Sequence, residues 1–183
     1  MKMSTGQTLL RRAQQFDQQA LAEVYDQFSP GVYRYAMRLL GDANLAEDCV
    51  AETFSRFLKA IRVGRGPQDH LQAYLYRIAH NWITDYYRRR TPPELPLEPE
   101  VKSDEQEEPH QVIAGKMERQ QMRTALAFLT PDQRQVILLK YLEDWSNNEI
   151  AHALQKPVGA VKALQHRALQ SLRRILSKQE EVL

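Results

Sequence analysis

A chain of 183 residues accommodates one ordinary domain or two small helical ones, each with a modest core. Its single cysteine, Cys49, excludes an intramolecular disulfide, no apolar run reaches the roughly 18 residues of a spanning helix, and no basic-then-apolar leader opens the chain, so a reducing cytoplasm is expected. The formal net charge of +2 hides three blocks: 13 basic against 9 acidic groups in residues 1–90, 1 against 7 in residues 91–115, and 11 against 7 in residues 116–183.

In chain order, Leu21, Val24, Tyr25 and Phe28, then Val32, Tyr35, Ala36, Leu39 and Leu40, recur at helical steps of three and four. Asp17 suits an N-cap, Ser29-Pro30 a break or kink, and Gly41-Asp42 a stop. The next helix is predicted from about Leu45 to Ile61, with Val50, Phe54, Phe57, Leu58 and Ile61 as its apolar stripe. Gly64, Gly66 and Pro67 make residues 62–70 a loop, and an aromatic, basic helix follows from about Leu71 to Arg90. Between Thr91 and Pro109, Pro92, Pro93, Pro96, Pro99 and Pro109 deny a helix its donors, and apolar groups are too few to offset chain ordering. Residues 91–115 are therefore expected to be a flexible acidic linker.

Beyond it, Met117 to Phe128 reads as a helix. Thr130-Pro131-Asp132-Gln133 is a capping box with proline at the first helical position, and it opens a helix through about Leu142. Two periodic segments follow, Asn147–Leu154 and roughly Pro157–Leu176. With no strand pattern, the expected fold is all-α: two small helical domains, 1–90 and 116–183, joined by an acidic, proline-rich linker.

The last two segments carry the strongest chemical signal. Ile150, Ala151 and Leu154 are spaced to pack against Val161, Leu164 and Ala168, as in a helix-turn-helix whose second helix enters a major groove. Lys162, Ala163, His166 and Arg167 then share the opposite face, offering cations and hydrogen-bonding groups to phosphates and base edges. The alternative is a helical hairpin with an ordinary solvated basic face. On the helix before the linker, Asn81, Asp85 and Arg88 lie on one face with Trp82, Tyr86 and Tyr87 close by, beside the glycine-containing loop. Aromatic faces among cations suit unpaired bases and their backbone, although Tyr74, Leu75, Ile78 and Trp82 also read as core, and Asp85 with Arg89 as a surface pair. Glu47, Asp48 and Glu52 form a small acidic edge, either a docking surface for a basic partner or a solvated face.

Taken in order, these elements resemble the extracytoplasmic-function sigma factors of bacterial RNA polymerase. AEDCVAETFSRFLKAI, residues 46–61, is similar to the segment that docks on the polymerase clamp helices, which implies polymerase-binding roles for Asp48, Glu52 and Phe54. LYRIAHNWITDYYRRR, residues 75–90, resembles the helix that helps to open the minus-ten element, and the loop at 62–70 sits where that family captures a flipped base. Arg65, Asn81, Asp85, Arg88 and Arg89 are the implied minus-ten contacts. Residues 129–154 followed by 157–169 resemble the domain that reads the minus-thirty-five element, through Lys162, Ala163, His166 and Arg167. The implied partners are core RNA polymerase, at its clamp helices and flap, promoter DNA and an anti-sigma factor, with no small-molecule substrate, cofactor or metal.

The sequence departs from that pattern in places. The family often has glutamine where Ala51 stands, threonine where Ala160 stands, and serine then a basic residue at Ala163 and Leu164, so no promoter sequence carries over from a relative. It often has glycine at the helix-turn-helix turn where Gln155 stands, and a positive φ there costs a non-glycine residue about 1 kcal/mol. The rival reading is a stand-alone helix-turn-helix regulator. An enzyme is not expected, since His70, His80, His110, His152 and His166 show no metal-ligand spacing and no nucleophile or phosphate-loop motif is present.

Overall fold

The computed structural model describes residues 5–90 and 120–180, without the side chains of residues 5, 90 and 176–180. The predicted linker and the first residues of the helix predicted from Met117 lie outside them. Every regular element among the described residues is an α-helix, as expected, and the chain divides into two compact units, Met1–Pro99 and Glu100–Leu183.

The first unit holds α1 (Thr5–Gln14), α2 (Gln18–Leu40), α3 (Ala43–Arg62) and α4 (Leu71–Arg90). Helix α1 has no counterpart in the sequence reading. Only Leu9, Leu10 and Ala13 are buried on it, and a ten-residue helix with so narrow a stripe owes its existence to docking on α2. At the corner, Asp17 caps α2 by accepting from the Gln19 and Ala20 amides. The Arg12 guanidinium, 2.8 Å away, and the Ala20 amide hold the Asp17 carboxyl below its usual range.

Helix α2 runs unbroken through Pro30, so of the two outcomes expected at Ser29-Pro30 the break does not occur. Proline there removes one amide donor, yet Val24 before it and Val32, Tyr35 and Ala36 after it are buried on one continuous stripe, and that packing carries the helix across. At the adjacent Gly31 a Cβ would lie 2.5 Å from the Tyr76 hydroxyl of α4, so the pair Pro30-Gly31 is where α4 crosses closely. Gly41 then ends α2 in the left-handed region (φ 68°), donating to the Met37 carbonyl, and Asp42 at once caps α3 by accepting from the Leu45 amide. The cap starts α3 two residues earlier than periodicity indicated.

On α3 the buried stripe is Ala46, Cys49, Val50, Thr53, Phe54, Phe57 and Ile61. Leu58 departs from the predicted stripe and is 40% exposed, because it stands one residue round the helix from Phe57. Burial pushes the Cys49 thiol up to about 12, so it is a neutral packing group. Helix α4 buries Leu71, Leu75, Ala79 and Ile83 at four-residue spacing, together with Tyr76 and His80, whose Nδ1 is 2.8 Å from the Tyr35 hydroxyl of α2.

The second unit holds α5 (residues 120–127), α6 (Pro131–Tyr141), α7 (Asn147–Leu154) and α8 (Val158–Glu180). The Thr130–Gln133 capping box forms as predicted, with Pro131 at the start of α6. From α6, Arg134 donates to the carbonyls of Leu126, Ala127 and Leu129, satisfying acceptors at the end of α5. Helix α6 packs on α7 and α8, and its Val136, Leu138 and Leu139 are fully buried.

Candidate nucleic-acid interface

In the second unit the helix-turn-helix is built by its caps. Ser146 and Glu149 form a capping box that sets the start of α7 at the predicted residue, although the sequence reading had not singled the pair out. Gln155 ends α7 in the left-handed region (φ 53°, ψ 44°), its amide donating back to the Ala151 and His152 carbonyls. The turn that glycine commonly makes is therefore made here by glutamine, with its strain retained. Lys156, the next residue, reaches Asp132 at the start of α6 at 3.1 Å and ties the turn to the rest of the unit.

Ile150 and Ala153 on α7 and Val161 and Ala168 on α8 are fully buried, while Ala151, Leu154 and Leu164 are half-buried. Ala153 is the core position that the sequence pattern missed. With Val161 and Ala168 turned inward, Lys162, His166 and Arg167 are exposed on α8 and Ala163 is half-buried beside them. The His166 and Gln170 side chains meet at 3.0 Å, one turn apart on that face. Lys162 and Arg167 have no ion-pair partner among the described residues, and so present their charges to solvent.

In the first unit, Asn81 and Arg89 are exposed at the solvent side of α4. Asp85 pairs with Arg88 at 2.8 Å and not with Arg89, since three-residue spacing brings side chains as near as four-residue spacing does. Trp82 stacks on Tyr86 with centroids 5.7 Å apart and planes 13° from parallel, and the Tyr87 ring meets Tyr86 edge-on while its hydroxyl donates to the Leu39 carbonyl. All three rings are half-buried. Of the four residues that also read as core, only Leu75 is fully buried, and Tyr74, Ile78 and Trp82 keep exposed edges. Arg65 is exposed on the loop before α4.

On α3, Glu47 and Asp48 are exposed and Glu52 is engaged with Arg56 at 2.7 Å. Phe54 does not join them at the surface. It is 7% exposed and packs its ring 4.8 Å from that of Tyr25, which is 48% exposed. Tyr25 and Leu58, both read from the sequence as members of apolar stripes, are instead exposed apolar groups of this unit, because a periodic stripe reports only the average direction of a face. Among the described residues no cluster of His, Cys, Asp or Glu is placed to hold a metal ion, and no helix is long and apolar enough to cross a membrane.

Each of the two units matches a known domain. The family Sigma-70 region 2 matches residues 24–92, and Sigma-70, region 4 matches residues 119–172. The chain is 32% identical over 170 residues to the ECF RNA polymerase sigma factor BldN of Streptomyces coelicolor, covering 92% of this chain and 64% of that one. It is 34% identical over 156 residues to SigL of Mycobacterium tuberculosis, covering 85% and 88%, and 30% identical over 181 residues to SigW of Bacillus subtilis, covering 91% and 94%. Among solved structures, CnrH in complex with the cytosolic domain of CnrY shares the fold, with a TM-score of 0.72 at 22% identity over 94% of this chain and 97% of that one. RpoE in complex with the anti-sigma factor NepR, from Bartonella quintana, shares it with a TM-score of 0.60 at 20% identity over 85% and 96%. With regions 2 and 4 in order along the chain and curated relatives matched over most of their length, this chain belongs to the extracytoplasmic-function family of RNA polymerase sigma factors.

Proposed function

We propose that the chain acts in the cytoplasm as a non-catalytic, alternative sigma subunit, docking on core RNA polymerase through the first unit and holding promoter DNA with both. The observation that carries this reading is the pairing of regions 2 and 4 with a basic, exposed face on α8. Lys162 and Arg167 then meet phosphates or base edges of the minus-thirty-five element, with Ala163 and His166 between them. Asn81, Arg88 and Arg89 steady melted minus-ten DNA. Asp85 orients Arg88, and the Trp82–Tyr86 stack offers aromatic edges to unpaired bases.

The loop after α3 receives an extruded base beside Arg65, offsetting its unstacking by new contacts. Asp48 and Glu52 form the acidic edge for the polymerase clamp, and Phe54 shapes it from beneath by seating Tyr25. The flap of the polymerase and an anti-sigma factor complete the proposed partners. Residues 1–90 and 116–183 form the two working domains, and the acidic, proline-rich stretch between them is their linker.

Purified core polymerase and a genomic promoter library test the proposal. Initiation at a defined subset of promoters is expected, whereas a stand-alone regulator gives none. Charge reversal of Asp48 and Glu52 should weaken core binding without DNA. Alanine at Asn81 and Arg88 should leave core binding intact and lower permanganate reactivity of minus-ten thymines, with partial rescue on a pre-melted template. Loss of core binding in the Asn81 and Arg88 variants would reverse the assignment of roles.

A further inference from the structure

Helix α1 ends beside the loop that joins α3 to α4, and the contact between them is specific. The loop is held at its entrance by backbone bonds from the Gly64 amide to the Ile61 carbonyl and from the Arg65 amide to the Ala60 carbonyl. At its exit the His70 carbonyl accepts from the Tyr74 amide. The middle is Gly66-Pro67. A Cβ at Gly66 would lie 2.5 Å from the Ile61 Cγ2 atom and 3.3 Å from its Cα, so this stretch lies directly on the last turn of α3. Pro67 is buried and has no amide hydrogen, and its carbonyl accepts from the Gln14 side-chain amide at 2.8 Å, across 53 residues of sequence.

We propose that Gln14 is a positioning residue for the loop, fixing from α1 the shape in which Arg65, Gln68, Asp69 and His70 meet an unpaired base. The inference rests on reading this loop as the base-capturing element. Those four residues are exposed and stand on both sides of Gly66-Pro67, so where that segment is seated decides where they point. Ile61 blocks its movement toward α3, and Gln14 restrains its movement away from α1. Discrimination among bases depends on polar groups held in one arrangement, and a loop that samples several arrangements loses selectivity sooner than affinity. Glutamate at this position keeps the shape of the side chain but replaces the donor with an acceptor facing the Pro67 carbonyl.

The test uses full-length protein with core polymerase and fork-junction DNA from a promoter selected by the wild-type holoenzyme, each minus-ten position carrying the four bases in turn. Wild type, Gln14→Glu, Gln14→Ala and Gln15→Ala, an exposed neighbour in the turn after α1, are compared by fluorescence titration. Gln14→Glu and Gln14→Ala are expected to narrow the preference at the captured position by about three- to tenfold, the worth of one hydrogen bond, while core affinity and upstream binding stay unchanged. Gln15→Ala should match wild type. Undiminished preference in both Gln14 variants overturns the proposal. Loss of core binding in both also overturns it, by making Gln14 a support of the whole unit. If the wild-type holoenzyme itself shows no minus-ten base preference, the loop reading fails and this inference falls with it.

Discussion

Gln155 holds a backbone conformation that glycine adopts freely and an L side chain resists, and three other non-glycine residues, Phe16, His70 and Asp144, share that region of φ. Gln155→Gly should therefore stabilise the second unit by about 1 kcal/mol, read as a higher urea midpoint with unchanged promoter affinity. A lower midpoint would show that the glutamine side chain offsets its own strain. The exposure of Lys162, His166 and Arg167 was legible in sequence, because the helical period sets them opposite Val161 and Ala168. The burial of Phe54 follows from its place on the same stripe as Val50, Phe57 and Ile61, whereas the exposure of Leu58 on that predicted stripe was not legible, since period alone does not say how far a neighbouring helix covers it. The choice of Arg88 over Arg89 by Asp85 was not legible either, because three- and four-residue spacings both bring a partner within reach.

At the scale of the element, α6 and α7 begin where their caps dictate, and both starts follow from side chains that satisfy otherwise unpaired amides. Helix α1 escaped the sequence reading because its three buried residues acquire meaning only against α2, and α2 crosses Pro30 for the same reason. Local sequence reports propensity; tertiary packing overrides it where a surface is available. Helix α8 carries the corresponding functional prediction. Lys162→Ala or Arg167→Ala should weaken upstream promoter binding by about 1–3 kcal/mol if the lost contact is to a base edge, and flatten the salt dependence if it is to phosphate. Titrations at several salt concentrations distinguish the two, and unchanged affinity and slope in both variants would remove this face from the interface.

For the whole molecule, the composition shift that separated two basic blocks from an acidic, proline-rich one anticipated the two compact units. Each has its own buried core, one centred on Tyr35, Phe57, Leu75 and Tyr76, the other on Val136, Leu138, Ile150 and Val161. Residues 1–90 and 116–183, expressed separately, should each give a helical spectrum and a cooperative thermal transition. A fragment that is helical only when the other is present would show that the cores are not independent. What sequence left unread at this scale was the reach of α1 to the loop after α3, a contact between segments whose patterns say nothing of each other.

The corner at Gly41-Asp42 spends both of its residues on caps, one closing α2 and the next opening α3. No residue is spare, so a single insertion or deletion rephases α3 against α2 by about 100° and turns Cys49, Thr53 and Phe57 away from the core. Chain length is frozen at this corner. Evolutionary indels in the unit are then confined to stretches such as the loop after α3, and an alignment of related chains should run gapless from Val32 through Ile61.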